Sequence, residues 1–423
     1  MKQIVFTLFT ISFLFCQQVG NGTGNHSIAL SVSGVVYTWG YNVGGQLGDN
    51  TQTNSSTPIQ VLKGAYTGTT YLGDNSSNKI TAVYAGGNNC IALDANGLVY
   101  VWGNGHKGTI GDGSWSRRLI PTLTSKGDYD GTAYIGDDSE NKIIDISQGI
   151  AFSGALAGDG TVYAWGNNQY GQVGDNTTSN KNIPKKVLKG EYSGTTYLGD
   201  DSGNKIVDIE MGGYHTIALA ADGTVYTWGY GGSGQLGNNS TTNTSTPVKV
   251  LKGDYSGSTY LGDDSSNKVT AIRGGAGFTL VIVSDGTVFS WGQGSLGQIG
   301  NGTTNNSNTP VKVLKGEYSG TTYLGDDSNN KITSIGGSGS SQMAMVSDGS
   351  SYGWGYNASG QLGDNSTSNR SIPTKVSGVR GSGDLTLPVE LTSFELLETR
   401  NNVITHQWVT ESEINNLGFN LNR

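Results

Sequence analysis

Cysteine is nearly absent from this chain, which has only Cys16 and Cys90, and this excludes a disulfide scaffold as the source of stability. Charge is also sparse. Asp, Glu, Lys and Arg make up 14% of the residues, where about a quarter is usual, so long solvated helices and coiled coils are excluded. Basic residues are in deficit, 25 Lys and Arg against 33 Asp and Glu for a net charge of −8, and nucleic acid is excluded as a partner for want of a basic face. Seven prolines, with no glycine at every third position, exclude collagen. The four histidines, His26, His106, His215 and His406, are scattered, and no two stand at metal-ligand spacing. The one long apolar run, Ile4 to Phe15, falls short of the ~20 residues that span a bilayer.

That run has another reading. Lys2 followed by uncharged Ile4–Phe15 and then polar Gln17 and Gln18 has the layout of a secretory signal. We expect residues 1–20 to be this signal, cleavage to fall between Cys16 and Gly24, and the protein to be secreted or at the cell surface. Cys16 follows Phe15, whereas a lipobox places a small residue there, so lipidation is not expected. Cys90 stands where other repeats carry Ser153, Thr216 and Thr279, the place of a small buried strand residue.

What the chain does have is glycine, 68 of 423 residues, and a period. Trp39, Trp102, Trp165, Trp228, Trp291 and Trp354 are each 63 residues apart, and a fixed spacing of the largest apolar side chain marks a repeat architecture. The clearest unit runs from His215 to Gly275. Thr216–Ala220 and Thr224–Gly229 flank Asp222-Gly223, a hairpin signal because glycine accepts the positive φ of such turns. Gly234-Gln235-Leu236-Gly237 and a Ser/Thr/Asn loop follow. A strand then begins at Pro247, where the missing N–H does least harm, and a fourth covers Lys268–Ile272. Four short antiparallel strands per unit make a propeller blade. The expected fold is all-β, a β-propeller of about six four-stranded blades followed by a truncated β module. Six hairpins but five Lys-Ile/Val strands imply that the chain starts and ends inside a blade. Pro373–Val376 is expected to complete the N-terminal blade begun by Ser27–Trp39 and close the ring.

The run A-L-x-x-D-G-x-V-Y-x-W-G, then G-Q-L-G, then P-x-x-V, resembles the regulator of chromosome condensation repeat in all six units, from about residue 25 to 376. The resemblance implies a closed β-propeller, commonly of seven blades, over residues 21–383; six would be a departure. Another is the insertion Gly190–Asp201, recurring almost unchanged between third and fourth strands. In its eukaryotic founding branch the family acts as a nuclear guanine-nucleotide exchange factor on a small GTPase and chromatin. Beyond the repeats, Leu387–Phe394, Trp408 and Glu413–Phe419 resemble the linker and fibronectin-like start common in secreted Bacteroidota proteins. Residues 384–423 are therefore expected to be a linker and an incomplete fibronectin-like segment, too short to bury a sandwich core.

Catalysis finds no foothold in the sequence. His26 and His215 share a repeat position with Asn89, Phe152, Phe278 and Ser341, and a general base would not alternate with phenylalanine. No nucleophile elbow, phosphate loop or defensible carboxylate pair appears, so neither an enzyme nor a cofactor is expected. The Gly-Asp-Asp-Ser-x-Asn-Lys loop (Asp200, Asp201, Asn204) clusters oxygen ligands but lacks calcium-loop spacing. Asx-turn chemistry accounts for it, and no metal is expected.

Two sets of residues are candidates for binding. One is the tyrosine pairs of the insertion, Tyr66/Tyr71, Tyr129/Tyr134, Tyr192/Tyr197, Tyr255/Tyr260 and Tyr318/Tyr323. They read either as pairs packed across their own hairpins or as an exposed aromatic crown for protein or glycan. The other is the second unit, where Asn104–Ile110 departs from the repeat and Trp115, Arg117 and Arg118 follow, residue types frequent at interface hot spots. The sequence thus points to an exported, non-enzymatic scaffold that binds protein or glycan at a surface, expected to be a monomer without a membrane span. The alternative is an exchange-factor-like regulator of a small GTPase.

Overall fold

The computed structural model describes residues 25–31, 33–378, 391–400 and 403–410. The expected signal, residues 1–20, lies outside the described residues, as do 384–390 and 411–423 of the C-terminal segment.

The fourth blade shows how the repeat folds. Ile206–Met211, His215–Ala220, Val225–Gly229 and Thr244–Lys249 form one antiparallel sheet in that order. Asp222-Gly223 makes the hairpin, with Gly223 at φ +95°, the left-handed region that glycine enters without a steric penalty. The two middle strands are buried at every position because both faces of the sheet meet a neighbouring blade, and the period-2 alternation of a one-sided strand disappears. The outer strand is only half covered.

Equivalent four-stranded sheets span residues 80–123, 143–186, 269–312 and 332–375, and a first sheet of three described strands spans 26–60. Together these are the six blades of a β-propeller. Among the described residues, the only helical turn is His106–Gly108. The innermost strands of successive blades touch one another and so surround the axis. Leu391–Arg400 and Val403–Thr410 pair as a separate two-stranded ladder.

The phase of the repeat differs from the expected one. Val269–Gly274 pairs with Phe278–Val283, which follows it, and so opens the fifth blade instead of completing the fourth. Three residues separate these strands, against nineteen between Lys249 and Val269, and the short link favours the antiparallel hairpin. The last outer strand, Arg370–Lys375, pairs with Ser351–Gly355 of its own blade. Pro373–Val376 therefore does not complete the N-terminal blade.

Neighbouring blades are joined by the repeat tryptophans. Each indole Nε1 donates to a backbone carbonyl of the preceding blade: Trp102 to Gln46 at 3.0 Å, Trp165 to Thr109 at 2.9 Å, Trp228 to Gln172 at 2.9 Å, Trp291 to Gln235 at 2.9 Å and Trp354 to Gln298 at 3.0 Å. All five rings are fully buried. The last glycine of Gly-Gln-Leu-Gly and of its variant Gly171-Gln172-Val173-Gly174 follows from this contact, since a Cβ at Gly174 or Gly237 would stand 2.7 Å from the indole nitrogen. A second contact joins the loop after this motif to the next outer strand, as where the Asn176 N–H donates to the Ser245 carbonyl at 2.9 Å. A third joins the insertion to the next outer-strand proline, as where the Glu191 N–H donates to the Pro247 carbonyl at 3.0 Å.

Candidate functional site

The tyrosine pairs divide by position. Tyr66, Tyr129, Tyr192, Tyr255 and Tyr318 are buried. Each meets an aromatic ring of the next blade edge to face, Tyr192 on Tyr226 at 5.6 Å and Tyr255 on Phe289 at 5.9 Å, a favoured geometry for aromatic pairs. Their hydroxyls donate to the carbonyls of Asn78, Asn141, Asn204, Asn267 and Asn330. They pack neither across their own hairpin nor in an exposed crown. They seal the joint between blades, which leaves no face for a ligand.

The second members, Tyr71, Tyr134, Tyr197, Tyr260 and Tyr323, stay partly exposed, and three lie under lysine ammonium groups, Tyr323 with Lys312 at 4.8 Å from the ring centre. The acidic loop is an internal tie. Asp200 accepts from the backbone N–H groups of Thr195, Thr196 and Tyr197 and from the Thr195 hydroxyl. At the equivalent Asp74, desolvation acts upward, but the same set of donors outweighs it and holds the carboxyl at about 2. Asn204 bridges to the hairpin turn at Asp222, 2.8 Å away.

The break in the second unit has a different structure. Tyr41, Val43, Gly44, Asn88, Asn104, His106 and Arg117 line a cleft of about 170 Å³ between the first and second blades. Tyr41, Val43 and Trp115 are 36%, 50% and 49% exposed, an unusual outlay of apolar surface on one side of a small region. Trp115 precedes Arg117 by two residues on the same loop. In the other five units the Arg117 position is asparagine, whose side chain accepts a backbone N–H across the loop, as Asn180 does from Asn168 at 2.9 Å. Arginine has no acceptor to offer. Arg117 instead crosses to the first blade and donates to the Val43 carbonyl at 3.3 Å. Beside it Lys107 holds φ +74°, a strained setting for a residue with a side chain.

Arg118 has another role. It pairs with Asp112 at 2.7 Å, as Lys181 does with Asp175 and Arg370 with Asp364. It is a repeated structural ion pair and not a feature unique to the second unit.

A second departure from the repeat, which sequence reasoning missed, lies at the axis. The innermost strands carry Tyr84, Ser147, Glu210, Arg273 and Gly336 at one equivalent position. Glu210 is buried against Arg273, with Oε1 to Nη1 at 2.5 Å, and accepts from the Ser147 hydroxyl at 3.3 Å. Asp145 and Asp208 stand two residues earlier on their strands. Burial pushes Glu210 up to about 8 against the pull of Arg273. Burial and then the Asp208 charge push Asp145 up to about 7, and burial pushes Asp208 up to about 6. Three carboxyls share one guanidinium, so they compete for protons. The only signal in the sequence is variation from blade to blade within a strand that otherwise barely changes.

Comparison with known proteins follows from this geometry. Residues 16–314 match the RCC1-like domain, and residues 285–344 and 348–389 match the regulator of chromosome condensation (RCC1) repeat. The chain is 27% identical over 363 residues to the human E3 ubiquitin-protein ligase HERC2, covering 84% of this chain but only 6% of the ligase. It is 28% identical over 353 residues to the ultraviolet-B receptor UVR8 of Arabidopsis thaliana, covering 83% of this chain and 68% of the receptor. Human WBSCR16 superposes with a TM-score of 0.66 at 20% identity over 88% of this chain and 82% of that one. Prp20p of Saccharomyces cerevisiae does so with 0.62 at 20% identity, over 85% and 76%. At these identities the structures establish a shared fold.

The axial acids set a direction for stability. Each binds its proton more tightly in the folded chain, so the folded state carries excess protons up to about pH 8 and stability falls as pH rises through that range. Burial lowers His26 to about 4 and His215 to about 3, so these cost stability only as pH falls below about 6.5. Between about pH 6.5 and pH 9 the carboxyls dominate. Asp145→Asn should therefore shrink the drop in urea midpoint across that interval; a drop equal to that of the unaltered protein would contradict the assignment.

Proposed function

The chain belongs to the RCC1-like domain family, and on that premise we propose that it is a non-enzymatic propeller whose cleft between the first two blades binds a protein partner at the cell surface. The observation that carries this reading is Arg117 with its surroundings. An exposed Trp115, exposed Tyr41 and Val43, and a cation displaced from the repeat's own hydrogen bond lie at the first blade junction. Aromatic and arginine side chains around a partly desolvated hollow suit a protein hot spot.

Export accompanies this proposal, supported by Lys2 and the apolar Ile4–Phe15 run. Glycan binding by the partly exposed tyrosines is a secondary reading, supported by their fivefold repetition, which would make binding multivalent. Exchange-factor-like regulation of a small GTPase is the alternative. It draws on the likeness to Prp20p, whose structure is described with its binding to Gsp1p and histones.

Arg117→Asn restores the residue that the other repeats carry and should leave the fold intact. Retention of the purified chain on envelopes of its source cells should fall by about tenfold or more, the scale of losing one hot-spot contact. Tyr197→Ala combined with Tyr260→Ala should have little effect. The reverse pattern would move the site to the tyrosines, and accelerated nucleotide release from a small GTPase would favour the alternative. Sequencing the N terminus of protein taken from its host should start between Gln17 and Asn25; an intact Met1 on cytosolic protein would contradict export.

A further inference from the structure

Three tyrosines meet where the third and fourth blades join. Tyr170 lies on the loop after the strand Val162–Gly166, Tyr214 just before His215–Ala220, and Tyr230 just after Val225–Gly229. The Tyr170 ring touches both others, at 5.5 Å from Tyr214 and 4.8 Å from Tyr230 between ring centres. In the other five units the place of Tyr170 is held by Gly44, Lys107, Ser233, Leu296 and Ser359, so the trio forms once. Its frame is fixed by main-chain bonds. The Tyr170 N–H donates to the Gln172 Oε1 at 3.0 Å, and the Tyr230 N–H to the Tyr214 carbonyl at 2.9 Å. The Tyr230 ring lies against Gly232, where a Cβ would stand 2.3 Å from the phenol oxygen.

This cluster differs from the aromatic pairs that seal the joints. Tyr192 and Tyr226 are buried, and the Tyr192 hydroxyl is spent on the Asn204 carbonyl. Tyr170, Tyr214 and Tyr230 all stay partly exposed, and their hydroxyls meet no protein acceptor among the described residues. The segments that carry them, 167–174, 212–214 and 230–243, contain no charged residue. Their borders are amides and hydroxyls instead. Gln169 is exposed beside Tyr170, and exposed Thr242 and Asn243 stand against Gly231, whose N–H donates to the Asn243 Oδ1 at 3.0 Å. At the first junction the equivalent of Tyr170 is Lys107, and Arg117 lies close by. The two junctions thus present opposite chemistry, one cationic and one neutral.

We infer that the tyrosine cluster between the third and fourth blades is a second binding site, and that its ligand is a neutral oligosaccharide. The class of ligand follows from the chemistry of the site. A pyranose has one face of polarised C–H groups, which suits the negative face of an aromatic ring, and a rim of hydroxyls, which suits phenols and amides. A charged ligand finds no counter-charge in these segments. A protein hot spot asks for a larger desolvated apolar centre than three partly covered rings provide. Adjoining rings on a frame already held by the fold offer places for successive sugar units at little cost in ordering. The site shares no residue with the Arg117 cleft and stands whether or not that cleft binds a protein.

Affinity electrophoresis of the full chain tests this, in native gels cast with mixed-linkage β-glucan, galactomannan or mannan, and with polygalacturonate as the charged comparison. At least one neutral polymer should retard the protein, and polygalacturonate should not. Tyr170→Ser and Tyr214→Asn each install a residue that other repeats carry at that place and should keep the melting profile. Each should raise the dissociation constant, read from retardation against polymer concentration, by about tenfold. Tyr230→Asn, on a different strand end, replaces either variant that fails to fold. Arg117→Asn should leave retardation unchanged, which separates this site from the protein cleft. Four results would overturn the inference: no retardation by any neutral polymer, equal or stronger retardation by polygalacturonate, retardation that survives the tyrosine variants, or retardation abolished by Tyr197→Ala with Tyr260→Ala.

Discussion

One hydrogen bond organises this molecule: a buried tryptophan N–H answered by a main-chain carbonyl of the neighbouring blade. A buried indole nitrogen without an acceptor is costly, so each blade needs the one before it to place that carbonyl. The requirement reaches back into the sequence. It demands a glycine where a Cβ would collide with the ring, and it makes the spacing of tryptophans equal to the spacing of blades. Around it the repeat adds an amide to the outer strand, an amide to the outer-strand proline and a tyrosine pressed edge-on against the next blade. Stability in such an array is a sum over nearest neighbours, so what each junction contains matters more than any single blade.

Near-identical repeats leave little room for specificity, and specificity appears where the repeat is broken. Replacing the loop asparagine by Arg117 exchanges an acceptor for a cation and sends it across the first junction. At the axis, one strand position carries Tyr84, Ser147, Glu210, Arg273 and Gly336 in turn. The Glu210–Arg273 pair gives four blades a shared charge balance with more carboxyls than cations, and a buried network of this kind favours one arrangement over its near-equivalents.

The architecture was legible because its signals are local and periodic: tryptophans 63 apart, Asp-Gly turns between β-prone runs, a proline in each outer strand, although the strands begin three residues before it instead of at it. The phase was not, because Lys268–Ile272 has the same strand propensity whichever neighbour it joins; only the short Gly-rich link to Phe278 distinguishes them. The tyrosines misled for a related reason. Tyr192 and Tyr197 look alike in sequence, and what separates them is Tyr226, a whole hairpin away. Arg117 was visible as a basic residue at an asparagine position, and its neighbour Arg118 looked equally unusual until Arg370 was seen to make the same ion pair. Tyr41 and Val43 carried no signal. They belong to the site because the cleft is formed between blades, and adjacency between repeats cannot be read from either one alone.

The dependence on the tryptophan contact is open to direct measurement. Hydrogen exchange of the indole N–H groups, followed by NMR on protein with nitrogen-labelled tryptophan, reports each junction separately. The five indoles of Trp102, Trp165, Trp228, Trp291 and Trp354 should exchange only through cooperative opening of the array, with similar and strong protection. Trp39, which is only partly covered and has no such bond among the described residues, should exchange faster than these five. Six equally protected indoles, or five that exchange as freely as Trp39, would contradict the account.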